Sequence, residues 1–282
     1  MSTTSLNPET EARPAVVTPP HFEADLDRLY RFAEENREAY RNNDPFPHIA
    51  IEDFVKPEIL EAVLRESADK SSWHHMNDED QNKFATAKTL AMGPQTRALI
   101  QFLNGQEILA FLEKLTGIEG LIPDPDLAGG GLHELRDGGF LRVHADFNFQ
   151  RRLKLDRRIN LLLYLNKGWE EEWGGNIELW DENTTRCVKR YTPEFNRCVV
   201  FNTTDRSFHG NPQPVRAPDG RTRKSIAMYY YTVGRPAEEA SPDHMTIFRK
   251  RPEERSAADA AKSMMQRWLP PAIYDAIRKV KK

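Results

Sequence analysis

The chain has 282 residues, a formal net charge of −3 and 29% charged residues, with a pI near 6.3; it is long enough for one large domain with added elements or for two small ones. That balance gives no support to a nucleic-acid partner. The longest apolar run, Leu161–Leu165, is far too short to cross a bilayer. The opening MSTTSLNPETEARPAVVTPP lacks a basic stretch followed by an apolar one, and the only cysteines are Cys187 and Cys198. The expectation is therefore no secretory signal, no membrane partner, no disulfide framework, two buried thiols and a reducing cytoplasm.

Residues 1–20 are polar and proline-rich, and predict a flexible lead-in. Phe22, Leu26, Leu29, Tyr30 and Phe32 then recur at helical spacing, predicting an amphipathic helix to about Tyr40 that Asn42–Pro45 ends. Phe46–Phe54 reads as a strand. Pro57 opens a second helix with Ile59, Leu60, Val63 and Leu64 on its buried face, and Thr96–Leu115 predicts a third. The middle differs in kind. Leu132–Leu135, Phe140–Phe147, Arg158–Leu165, Asn176–Trp180, Cys198–Asn202 and Ser225–Tyr231 are short strand-like runs separated by Gly, Pro, Asn and Asp, the pattern of a β-sandwich or barrel. The C-terminal pattern predicts helices over Ala257–Trp268 and Ile273–Val280, with a solvated basic end. The expected organisation is a flexible segment over 1–20, a helical layer with the first core strands over 21–128, a β core over 129–236 and a helical extension over 237–282.

His144-Ala145-Asp146 lies on or at the end of a predicted strand. Residues two apart on a strand point to one face, so the imidazole and carboxylate project together. His209, just beyond the run Cys198–Asn202, is the candidate third ligand. Two histidines and one carboxylate leave open coordination positions, as non-haem Fe(II) oxygenases require. Zinc accepts the same donors, so the ligands alone leave the metal open. Fourteen residues after His209 begins RKSIAMYYY, in which Arg223, Ser225, Ala227 and Tyr229 share one strand face. The planar guanidinium of Arg223 matches a carboxylate bidentately, and Ser225 adds a hydroxyl. Arg221 is the rival cation, and strand phase favours Arg223.

The blocks GGFLRVHADFNFQ, RRINLLLYLNKGW, GGNIELWD, FNRCVVFNTTDRSFHG and RKSIAMYYYT resemble, in order and spacing, the Fe(II)/2-oxoglutarate-dependent oxygenases of the prolyl-hydroxylase type. The resemblance covers Pro45–Pro236. It implies an α+β fold with a double-stranded β-helix, or jelly-roll, core flanked by N-terminal helices and a C-terminal helical tail. It implies that His144, Asp146 and His209 bind Fe(II), and that Arg223 holds the far carboxylate of 2-oxoglutarate. Tyr164 falls where related oxygen-sensing enzymes have a tyrosine reaching that carboxylate; a core aromatic is the alternative. Asn160 and Leu162 would line the same pocket. O2 is the second co-substrate, and ascorbate a candidate addition. Asp146 argues for hydroxylation, because halogenases of this fold lack the carboxylate.

His133, Glu134 and Asn148 are candidate substrate contacts, with a structural role as the alternative for each. Arg151, Arg152, Arg157 and Arg158 read as a solvated loop, or as a lid recruiting an anionic substrate. Gly129–Gly131 lacks a P-loop lysine and reads as a turn. The expected activity is hydroxylation of a peptidyl-prolyl or small-molecule substrate with release of succinate and CO2. A non-catalytic metal- or sugar-binding jelly-roll and a zinc hydrolase are the competing classes. The sequence says nothing of oligomeric state.

Overall fold

The computed structural model describes residues 25–66 and 73–256. In chain order the elements are α1 (Leu26–Asn42), β1 (His48–Ile51), α2 (Pro57–Arg65), β2 (His74–Asn77), β3 (Gln81–Thr86), α3 (Pro94–Leu103), α4 (Gln106–Thr116), β4 (Ile122–Pro123) and β5 (Gly131–Leu135). There follow β6 (Phe140–Ala145), β7 (Phe149–Gln150), β8 (Leu155–Tyr164), β9 (Ile177–Trp180), β10 (Cys187–Tyr191), β11 (Cys198–Asn202), β12 (His209–Asn211), β13 (Arg223–Thr232) and β14 (Ile247–Phe248). The expected lead-in and C-terminal helices lie outside the described residues. Among the described residues, no helix is long and apolar enough to cross a membrane.

The strands form a nearly closed antiparallel jelly-roll in the order β1-β11-β8-β13-β5-β3-β6-β12-β9-β10. The first five make one sheet and the last four the other. β3 joins them, pairing with β5 through Phe84–Thr86 and with β6 through Gln81 and Asn82. Strand alternation sorts the first sheet into two faces. Ile159, Leu161 and Leu163 of β8, Cys198 and Val200 of β11, and Ile226, Met228 and Tyr230 of β13 face outward. They pack against Leu29 and Ala33 of α1, Leu60 of α2, Leu99 and Leu103 of α3, and Phe111 and Leu115 of α4. Burying such side chains stabilises by roughly 1.5–3 kcal/mol each. Tyr230 also donates to the Leu103 carbonyl at 2.8 Å, so its hydroxyl is satisfied within the helical layer. The inward face of the same strands lines the jelly-roll cavity.

The predicted helix over Thr96–Leu115 is in fact two. Asn104 ends α3 and its side chain donates to the Asp124 carbonyl, while Gly105 adopts extended backbone and begins α4. The apolar period continues across this break, so periodicity alone could not show it. The hairpin β2–β3 went unread because its sequence, HHMNDEDQNKFAT, has little apolar content. Arg157 and Arg158 lie within β8 and are buried, which corrects their reading as a loop; Arg151 and Arg152 are exposed in the turn before it. Cys198 is buried but Cys187 is only half-buried, and both are free.

Close approach at Gly131 fixes how β5 enters the sheet. Its φ is +91°, and a Cβ there would sit 2.3 Å from the Thr86 carbonyl oxygen, which only glycine tolerates.

Candidate active site

A cavity of about 320 Å³ opens between the two sheets, lined by His144, Asp146 and His209 on one side and Arg223, Ser225 and Tyr229 on the other. His144 is the penultimate residue of β6, and His209 begins β12 directly opposite it in the ladder. Asp146 follows one residue beyond β6, keeping the expected common face. The three ligand atoms lie within 4.8 Å of one another. His144 Nε2 is 3.5 Å from one Asp146 carboxylate oxygen, and His209 Nε2 is 3.3 Å from the other.

The surroundings prepare these groups for a cation. His144 Nδ1 donates to the Arg142 carbonyl at 2.8 Å and His209 Nδ1 to the Ser207 carbonyl at 2.9 Å. That makes Nδ1 the donor in each ring and turns Nε2 inward, the second-sphere arrangement common to metal-bound imidazoles. Burial, with His209 alongside, pushes the His144 imidazole pKa down, keeping it a neutral ligand. Burial alone would raise the Asp146 carboxyl, but Arg157 and then His209 hold it well below its usual range. The donor set therefore fits a divalent ion with room for further ligands.

Sequence reasoning missed the residue that positions the carboxylate. Arg157 Nη2 donates to Asp146 Oδ2 at 2.9 Å, and Asn160 Nδ2 to the same oxygen at 2.7 Å. Arg157 also donates to Asn160 Oδ1, and its guanidinium lies 3.4 Å from the centre of the Tyr229 ring. Two donors on Oδ2 leave Oδ1 as the oxygen for a metal. Strict alternation would place Arg157 with Ile159 and Leu161, facing the helices. The β8–β13 register shifts between Tyr230 and Tyr231, opposite Ile159 and Arg157 respectively, and this bulge turns Arg157 inward. No sequence signal marks it.

Across the cavity, Arg223 is buried and donates to the Gly175 carbonyl at 3.2 Å, to Ser225 Oγ at 3.1 Å and to Tyr164 Oη at 3.3 Å. It has no carboxylate partner among the described residues. A buried guanidinium without a counter-ion is costly, so this pocket is built to receive an anion. Arg221 is exposed and lies over Trp173, away from the cavity. The even-numbered residues Asn160 and Leu162 line the cavity as alternation predicts.

The three substrate-side candidates separate. His133 lines the cavity. Glu134 points to the opposite side of β5 and pairs with Arg136 at 3.2 Å. Asn148 lies outside the cavity lining. It holds the segment before β14, donating to Ser241 Oγ and the Pro242 carbonyl and accepting from the His244 amide. That segment runs on to Thr246 and Phe248, which line the cavity beside the histidines.

A jelly-roll holding two histidines and a carboxylate in this way is the architecture of the non-haem Fe(II) oxygenases. Residues 130–231 match the family model of the 2OG-Fe(II) oxygenase superfamily. The mouse (Mus musculus) prolyl 3-hydroxylase OGFOD1 is 28% identical over 195 residues, 67% of this chain and 33% of that protein. The chain thus spans about a third of the length of the curated relative it matches. Among solved structures, a Trichoplax adhaerens prolyl hydroxylase in complex with a hypoxia-inducible-factor peptide fragment superimposes with a TM-score of 0.53 at 15% identity, covering 73% of this chain and 92% of that one. A Pseudomonas putida prolyl-4-hydroxylase gives 0.50 at 17% identity, covering 73% of this chain and all of that one (100%). Residues 130–231 are thus similar to the 2OG-Fe(II) oxygenase superfamily, and the chain shares the fold of the solved prolyl hydroxylases.

Proposed function

We propose that this protein is an Fe(II)- and 2-oxoglutarate-dependent dioxygenase that hydroxylates a C–H bond of an organic substrate and releases succinate and CO2. One observation carries the proposal: Arg223, a buried and uncompensated guanidinium, shares a single cavity with the His144, Asp146 and His209 cluster. Neither a metal- or sugar-binding module nor a zinc hydrolase needs such an anion pocket beside its metal.

In this reading His144, Asp146 and His209 hold Fe(II). Arg223, Ser225 and Tyr164 hold the far carboxylate of 2-oxoglutarate. Iron with 2-oxoglutarate and O2 supplies the oxidising chemistry, one oxygen atom going to succinate and one to the substrate. The chain's own work is positional. Arg157 and Asn160 orient Asp146 so that one oxygen faces the ion. Ser225 and Tyr164 fix the guanidinium plane of Arg223. Phe248 and Phe201 flank the histidines and exclude water from that side.

A prolyl substrate is the leading choice, supported by the name of the mouse relative and by the peptide in the Trichoplax complex. Two free thiols suit a reducing compartment such as the cytoplasm. The first test is spectroscopic. Under anaerobic conditions, Fe(II) and 2-oxoglutarate should give the weak visible charge-transfer band of the chelate. Absence of the band, with no difference between wild type and Arg223→Ala in 2-oxoglutarate binding, would defeat the proposal. Succinate release in air over prolyl peptides and small amides then identifies the substrate.

A further inference from the structure

Besides Arg157 and Arg223, the cavity contains a third cation that neither the triad nor the Arg223 pocket employs. Lys83 comes from β3, the strand that joins the two sheets, and it lines the cavity together with Gln81, two residues before it. Met76, opposite Lys83 in the β2–β3 hairpin, lines the cavity too. Along the same inward face, Ala85 pairs with His133 of β5 and His133 pairs with Ser225 of β13. Lys83, His133 and Arg223 therefore stand on neighbouring strands and look into one space.

The Lys83 ammonium makes no hydrogen bond or ion pair among the described residues. The charges acting on it are Asp146, Arg223, Arg157 and Asp78. Asp146 is already held by Arg157, and the two arginines repel. His133 Nε2 is buried without a partner and offers a lone pair, not a charge. An ammonium kept in a cavity wall without a counter-ion is an unfavourable arrangement unless an anion visits.

The next step rests on the dioxygenase reading. 2-Oxoglutarate has only two carboxylates, and both have seats, one at Arg223 and one on the iron. With iron and 2-oxoglutarate in place, the cavity still has surplus positive charge, centred on Lys83. We infer that Lys83 is the anion subsite for the primary substrate, and that the molecule hydroxylated here bears its own carboxylate within a side chain's reach of the oxidised carbon. That carboxylate belongs either to a free small acid or to an acidic group of a peptide.

The test uses the full chain loaded anaerobically with Fe(II) and 2-oxoglutarate, following the charge-transfer band. Propionate and its neutral amide, propionamide, are the probes. Propionate should perturb the band saturably, and propionamide should need about tenfold more or have no effect, the scale of one charge-assisted hydrogen bond. Lys83→Met should raise the propionate midpoint by about tenfold and leave the 2-oxoglutarate midpoint unchanged. Equal responses to acid and amide would overturn the inference, as would an unchanged propionate midpoint in Lys83→Met. A weakened 2-oxoglutarate midpoint in that variant would overturn it differently, by assigning Lys83 to the co-substrate. Should Lys83→Met fail to fold, the wild-type comparison of acid and amide decides alone. A wild type that shows no band before any probe is added defeats the dioxygenase reading itself, a distinct outcome. N-acetyl-L-proline against an acetyl-Glu-Pro amide then separates the sources: the lower midpoint assigns the carboxylate to a free acid or to a peptide side chain.

Discussion

Replacing Arg157 with methionine isolates the ion pair that positions Asp146. Arg157 is 1% exposed. It donates to Asp146 at 2.9 Å and to Asn160 at 2.7 and 3.1 Å. Methionine keeps much of the volume between Phe147 and Tyr229 and removes only the charge and its hydrogen bonds. Deleting one partner of a buried ion pair costs about 3–5 kcal/mol. Asn160 still donates to the same carboxylate oxygen at 2.7 Å, which places the loss near the lower bound, about 3 kcal/mol. In a chain of this size that lowers the metal-free melting temperature by about 6 °C or more. The pH dependence has a definite sign. Asp146 has a depressed folded pKa, so its contribution is present above the ordinary carboxylate value and lost as pH falls through the depressed one. The gap between wild type and Arg157→Met should thus be full at neutral pH and should narrow below about pH 4. Urea melts of metal-free protein at several pH values measure it. A gap under about 1 kcal/mol at neutral pH, or one that stays constant into acid, would refute the assignment of Arg157 as the counter-ion of Asp146.

If Arg223 anchors 2-oxoglutarate as proposed, Arg223→Ala should weaken it by about a hundredfold, read from the anaerobic charge-transfer titration; iron binding should be unchanged. Asp146→Ala should abolish tight Fe(II) binding in calorimetry, since only two imidazoles remain, whereas Asp137→Ala, an exposed acid elsewhere, should bind iron as wild type does. Asn196→Ala should destabilise the fold by about 2 kcal/mol in urea melts, because its side chain accepts from the Val55 amide at 3.0 Å and donates to the Val55 carbonyl at 2.6 Å in a buried setting. Gly131→Ala should lower the melting temperature further than Gly168→Ala, because a Cβ at Gly131 meets the Thr86 carbonyl while one at Gly168 meets nothing within 4 Å.

Much of the site was legible in one dimension because β-structure has a fixed period. His144 and Asp146 share a face, as do Arg223 and Ser225, and Asn160, Leu162 and Tyr164. Each set faces the cavity or contacts Arg223 in the structure. Glu134 shows the same rule working against an expectation: as the neighbour of His133 it must point the other way. Asn148 continues the alternation of His144 and Asp146 numerically, but β6 ends at Ala145. The period no longer governs it, and it ties down the segment before β14 instead.

The sequence by itself determined which candidate residues could share a strand face, since residue type and two-residue alternation are local properties. It also announced the helices of the outer layer through their apolar stripes, except where the stripe ran unbroken over Asn104 and Gly105. Only the tertiary structure decided what closes the site. The bulge that turns Arg157 onto Asp146 is a mismatch between two strands, so neither strand's sequence contains it. The polar hairpin that brings Lys83 into the cavity is held by pairing with β5 and β6, about fifty residues further along the chain. Counter-ions likewise depend on distance in space: Arg157 found one in Asp146, while Arg223 and Lys83 face the cavity without one.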